Sequence, residues 1–197
     1  MLRVAVTLPA KPGEVGEYLA DVTALEAAGA FAVWVEDTAV DPWVMLGAWA
    51  AITHRVGLGC LITSPEKWPA AQLGIAAATL QGLSRGRVVV GAPDHMLDDQ
   101  IGSLRAAGIR IFGRDAYADG VIVTVESADE LSAAHGAETE IWAAIPAPPD
   151  RDAWNTALGA YEAAGATGVI VPWNTRLIDL LRNPEPDDRS DLLMSTG

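Results

Sequence analysis

Leu25-Glu26-Ala27-Ala28-Gly29-Ala30-Phe31-Ala32-Val33-Trp34-Val35-Glu36 reads as a helix end, a glycine stop and a short buried strand. The pattern recurs twice. Leu104-Arg105-Ala106-Ala107-Gly108 leads into Ile109–Phe112, and Tyr161-Glu162-Ala163-Ala164-Gly165 leads into Gly168–Val171. Glycine stops a helix because it accepts the left-handed conformation of the position after the last turn. The strands that follow are almost wholly apolar, as expected of strands covered on both faces in a parallel sheet. Three copies of one helix–glycine–strand step indicate a repeating αβ architecture.

Working outward, strands are expected at Leu2–Leu8, Phe31–Glu36, Val56–Ile62, Arg87–Gly91, Ile109–Phe112, Val121–Val125, Glu140–Ile145 and Gly168–Val171. Between them, helical periodicity appears at Glu14–Ala28, from Pro42 to about Thr53, at Pro69–Leu83, at Met96–Ala107 and around Trp154–Tyr161, with a last helix at Thr175–Arg182. Asp41-Pro42 is an N-cap followed by a proline at the first helical position, and Ser127-Ala128-Asp129-Glu130 is a capping-box pattern. Eight strands predict an α/β fold, a compact (β/α)8 TIM-type barrel over residues 1–182. The chain is near the lower bound of about 200 residues for that fold. Strand five is expected to run through Gly113–Gly120 almost directly into strand six with no full helix between, a reduced region after strand four. An open doubly wound sheet is the alternative, but no Gly-rich phosphate fingerprint follows strand one. Residues 183–197 carry two prolines and four acids and read as a flexible end or an arm on a partner subunit.

The composition limits the partners. Of 197 residues, 50% are hydrophobic, so a substantial core is available. Thirteen basic against 26 acidic residues give a net charge of −13, which argues against nucleic acid or an anionic membrane surface as a partner. No apolar run approaches the roughly 20 residues of a membrane span. The start reads as a strand rather than a leader, and the expected location is the cytoplasm. A single cysteine, Cys60, allows no intrachain disulfide or multi-cysteine zinc site.

In a parallel barrel, functional groups lie at the C-terminal ends of the strands. Those ends place Glu36, Asp37, Asp94 and His95 together as the titratable set, suited to proton transfer. Single acids there can equally be helix caps. His54 and His135 fall at helix C-termini, where they complement the dipole, so a histidine-rich metal site is not expected. Trp34, Trp43, Trp49, Trp142 and Trp154 fall within elements and read as packing residues. Trp68 and Trp173 fall in loops, where an indole can stack on a planar ligand.

Strands two to four resemble the luciferase-like flavin monooxygenases, a family that includes deazaflavin-dependent oxidoreductases. The matching pieces are Glu26–Asp37, Asp41-Pro42-Trp43-Val44-Met45-Leu46, Thr53–Cys60, Pro69-Ala70 with Ala78-Thr79-Leu80, and Leu83–Gly91. The resemblance implies FMN or a deazaflavin coenzyme at the C-terminal mouth, with a non-proline cis peptide at Leu61-Ile62 behind the ring. It implies catalytic roles for Asp37, Asp94 and His95. Leu61, Ile62 and Thr38 are the implied cofactor contacts, Thr38 standing where some deazaflavin members have a histidine; from the residues themselves, the loop indole Trp173 is expected to line the pocket and Arg114, a nearby cation, to lie near the phosphate. The expected activity is hydride transfer or monooxygenation of a small organic substrate, in a homodimer. The alternative is a non-catalytic luciferase-like relative that has lost the cofactor and binds a small ligand or another protein.

Overall fold

A computed structural model describes residues 2–11, 13–113, 118–132 and 140–182. Eight parallel strands close into a barrel in sequence order. They are β1 Arg3–Thr7, β2 Ala32–Glu36, β3 Gly57–Leu61, β4 Val88–Gly91, β5 Arg110–Phe112, β6 Gly120–Thr124, β7 Glu140–Ala144 and β8 Gly168–Pro172. Strand β1 pairs with both β2 and β8, which rules out the open-sheet alternative. The helices are α1 Val15–Ala28, α2 Pro42–Ile52, α3 Ala70–Ser84, α4 Asp98–Ala106, α5 Ala128–Ser132, α6 Arg151–Ala163 and α7 Arg176–Arg182. The seam between β5 and β6 carries a single register pair, Phe112↔Gly120, whereas β6 and β7 share five.

Local chemistry explains the element ends. Gly29, Gly108 and Gly165, the stops of the threefold repeat, have φ of 93°, 74° and 92°. Asp41 caps α2 by accepting from Trp43 N at 2.9 Å and Val44 N at 3.3 Å. Asp150 caps α6 through Ala153 N at 2.8 Å. Glu130 reaches back to accept from Glu126 N at 3.0 Å, one residue earlier than the capping-box reading of Ser127 implies.

Two apolar layers hold the barrel. The larger lies between strands and helices and includes Val33, Val35, Leu46, Trp49, Cys60, Leu73 and Leu177. The smaller fills the lumen with Ala5, Ala32, Trp34, Phe112, Trp142 and Ile170. The register places each large lumen ring beside a glycine on the next strand: Trp34↔Gly59, Phe112↔Gly120 and Trp142↔Gly168. The rings then meet edge to face, Trp34–Phe112 at 6.4 Å and Phe112–Trp142 at 6.5 Å between centroids. A short chain thus fills its lumen with three rings, and the glycines make the room. Trp34 Nε1 is buried with no acceptor among the described residues. Such a group costs about 1–3 kcal/mol, which the ring packing must outweigh.

A Cβ at Gly59 would lie 2.1 Å from Trp34 Cδ2, whereas one at Gly47 in α2 meets nothing within 4 Å. Gly59→Ala is therefore expected to destabilise by about 1–3 kcal/mol or more through overpacking. Gly47→Ala is expected to stabilise by up to about 1 kcal/mol through helix propensity. Urea unfolding of both variants checks the pair; equal stabilities would contradict this account of the lumen.

Candidate functional site

The strands carry their inward residues at alternate positions. Glu36, Leu61, Gly91, Phe112, Ile122, Ala144, Ile170 and Pro172 consequently line a cavity at the C-terminal mouth. Its volume is about 880 Å3, within the range that holds a cofactor-sized ligand. The floor is apolar, with Leu61, Ile122, Ala144 and Ile170 around Gly91, where a Cβ would come 2.6 Å from Leu61 Cδ2. The rim is polar, with three acids among its residues: Thr7, Glu36, Thr63, Asp94, His95, Thr124 and Glu126. No Lys or Arg occurs among the described lining residues.

Four of the expected site residues line this cavity: Leu61, Ile62, Asp94 and His95. Three others do not. Asp37 follows the inward Glu36 and so points the other way, toward the helices. It is 3% exposed and accepts from Thr63 Oγ1 at 2.5 Å, Thr63 N at 2.8 Å, Trp68 Nε1 at 3.0 Å and Ser64 N at 3.3 Å. It ties down the loop after β3 and is not among the residues that line the cavity. Thr38 is exposed and outside the lining. Trp173 follows the inward Pro172 and is not among the residues that line the cavity. Trp68 stands edge-on to Trp43 at 6.3 Å, so neither loop indole is a stacking platform for the mouth. Arg114, His135 and the 183–197 tail lie outside the described residues.

The expected cis peptide at Leu61-Ile62 is absent, since every peptide bond among the described residues is trans. The ladder runs straight through it: Asp37 N donates to Leu61 O at 3.2 Å and Ile62 N donates to Gly91 O at 2.9 Å. Thr124 at the end of β6 and Glu126 just past it are rim residues beyond those expected from the sequence. The signal was available in the acid directly after the Val121–Val125 run.

Burial alone would raise the Asp37 pKa, but the Thr63 hydroxyl, the Trp68 indole and two backbone N–H groups outweigh it and hold the carboxyl below its ordinary value. Burial pushes the Cys60 thiol well up, with Asp37 and Asp41 adding to the effect, so this thiol is inert. Among the described residues no group of three or more His, Cys, Asp or Glu is placed to hold a metal ion. No helix among them is long and apolar enough to cross a membrane.

Comparison with known proteins agrees with this geometry. Residues 2–92, which form β1 to β4 and the helices between them, match the family model of luciferase-like monooxygenases. The resemblance seen in the sequence is thus shown for this half of the barrel. An uncharacterised protein of Mycobacterium tuberculosis is 44% identical over 52 residues, 26% of this chain and 18% of that protein. The chain therefore matches about a fifth of the length of that curated relative. Among solved structures, an F420-dependent secondary alcohol dehydrogenase in complex with an F420-acetone adduct is 12% identical. That likeness covers 92% of this chain and 97% of the other, with a TM-score of 0.72. Tryptophan synthase from Mycobacterium tuberculosis is 14% identical, over 92% of this chain and 88% of the other, with a TM-score of 0.53. At these identities the structures show a shared barrel fold and nothing finer.

The depressed Asp37 pKa fixes a sign. A carboxyl whose folded pKa lies below its unfolded value of about 3.9 stabilises the fold above that value. The contribution is lost as pH falls from about 5 through the folded pKa. Asp37→Ala is expected to cost about 2–4 kcal/mol near neutral pH, because several buried donors lose a charged acceptor. The variant should also show a flatter dependence of stability on pH below about 5. Denaturation midpoints between pH 3 and 7, on the ~kcal/mol scale of that linkage, check both points.

Proposed function

We propose that the chain is a luciferase-like oxidoreductase whose mouth seats the ring of a deazaflavin or flavin coenzyme against Leu61 and Ile62. The supporting observation is the apolar floor, to which the family-matching residues contribute Leu61 and Gly91 and the rest of the barrel Ile122, Ala144 and Ile170, open to a cavity of about 880 Å3. A planar tricyclic ring suits this floor, because Gly91 adds no side chain among Leu61, Ile122, Ala144 and Ile170. The phosphate end is less well served. The described rim offers Glu36, Asp94 and Glu126 but no cation, and the turn after β7 contains Pro146, Pro148 and Pro149, which have no N–H to donate.

The coenzyme, once bound, would supply the hydride chemistry. The chain's own part is to seat the ring, exclude water from its buried face and hold proton-exchanging groups at the rim. His95 and Asp94 come from the loop after β4 and Glu126 from the end of β6, so they border the mouth from two sides. A small organic substrate entering between them meets an imidazole and carboxylates, a set suited to moving one proton to or from a carbonyl or hydroxyl oxygen. The acidic rim also favours a second reading, a luciferase-like barrel that binds a small ligand without the coenzyme.

Fluorescence titration of the purified protein with FMN and with the deazaflavin coenzyme separates the two readings. Saturable micromolar quenching by either supports the oxidoreductase, and quenching by neither selects the cofactor-free reading. Leu61→Glu should abolish the quenching. Glu126→Gln should strengthen FMN binding about 2–5-fold by removing a like charge at the rim, the size expected of Coulomb repulsion at ~8 Å in a water-like medium. With a substrate in hand, His95→Gln should lower kcat about 10²–10⁴-fold if the imidazole exchanges the substrate proton.

A further inference from the structure

The opposite end of the barrel holds a second cavity, of about 620 Å3, that the mouth chemistry does not use. It lies at the N-terminal ends of β2 to β5, and Arg55, Arg87, Arg110 and Phe31 are among its lining residues. Its one carboxylate is occupied: Glu26 Oε1 accepts from His54 N at 2.8 Å, Arg55 N at 2.6 Å and Val56 N at 3.0 Å. Arg87 is also committed, donating to Val56 O at 2.7 Å and Thr53 O at 3.0 Å. Arg110 shares Glu140 with Arg3, so two guanidinium groups face one carboxylate. Arg55 is exposed and makes no side-chain hydrogen bond or ion pair among the described residues. Phe31, under the Arg3 guanidinium at 4.6 Å, leaves 41% of its surface open. In a chain of net charge −13, this end carries a local excess of cations beside an exposed ring.

The chain provides an occupant. Helix α7 runs back from the mouth toward this end, packed beside α1, whose last residues Ala27 and Ala28 line the cavity. Residues 183–197 continue from it with Glu185, Asp187, Asp188 and Asp191 against one Arg189, followed by Leu192-Leu193-Met194. Fifteen residues can span up to about 50 Å, so the cavity is within reach. Tethering raises the effective concentration to the millimolar range, so weak ion pairs suffice for docking. We propose that residues 183–197 dock in the arginine-lined cavity at the N-terminal end of the barrel, acids toward Arg55 and Arg110 and apolar residues toward Phe31.

A nitroxide placed at Ser195→Cys in the full chain tests this, since Cys60 is fully buried and does not take the label. Broadening of the Gly29, Gly57 and Gly86 amide signals is expected, with the mouth residues Ala92, His95 and Glu126 unaffected. Arg55→Glu, which breaks no side-chain bond seen among the described residues, should abolish that broadening, as should about 1 M salt, where screening acts within 3 Å. Broadening at the mouth, broadening nowhere on the barrel, or broadening that survives Arg55→Glu would overturn the proposal. Broadening seen when labelled chains are mixed with isotope-enriched unlabelled ones would overturn it too, by making a second copy the occupant.

Discussion

The rest of this barrel depends on the pairing of a large ring with a glycine across adjacent strands. Trp34 with Gly59, Phe112 with Gly120 and Trp142 with Gly168 fill the lumen that longer barrels fill with layers of branched residues. Five-residue strands such as β2 and β7 offer only two or three inward positions each, so a few bulky rings must do the filling. The glycines are required by contact: an added Cβ at Gly168 would lie 2.4 Å from Trp142 Cζ3 and one at Gly120 would lie 2.6 Å from Phe112 Cε1. Because the rings occupy the middle of the lumen, the space above them remains open as the mouth. The functional cavity is thus a consequence of how the core is packed.

Charge follows the same axis. Parallel strands oblige every returning helix to point its N-terminus at the mouth and its C-terminus at the base. Acids gather at the first, as in Asp41, Asp98, Asp99, Asp129, Asp150 and Asp152. At the second stand Arg85, Arg105 and Arg182, whereas Arg151 and Arg176 open α6 and α7. Acids at the first and cations at the second complement a helix dipole locally. The two cavities differ in charge, the mouth lined by Glu36, Asp94 and Glu126 and the base by Arg55, Arg87 and Arg110 with Glu26, which bears on any anionic coenzyme at one end and any acidic segment at the other.

The candidate site was legible in the sequence to the extent that strand parity was. Asp94 and His95 stand where the strand-end rule points, and Leu61 follows from the family resemblance. Asp37 and Trp173 each stand one residue past an inward position, Glu36 and Pro172, and neither is a lining residue. A one-residue step along a strand reverses the face, and a carboxylate turned toward the helices becomes a clamp on the neighbouring loop instead of a rim acid. Parity could have been read from Ala32, Trp34 and Glu36 once Trp34 was assigned to the lumen, but periodicity alone does not say which face of a doubly buried strand is the inner one.

The sequence by itself determined the repeat, the element order and the glycine stops, because these rest on short-range conformational preferences that neighbouring residues reveal. It also carried the luciferase-like signature of the N-terminal half in its local spacing. Tertiary structure alone decided that the sheet closes, which rings meet which glycines, and that the Leu61-Ile62 peptide continues the ladder. It likewise decided that Glu126 joins the rim from across the mouth and that Arg3 and Arg110 converge on Glu140. These are contacts between residues far apart in the chain, fixed by register and barrel closure, and no local pattern encodes them.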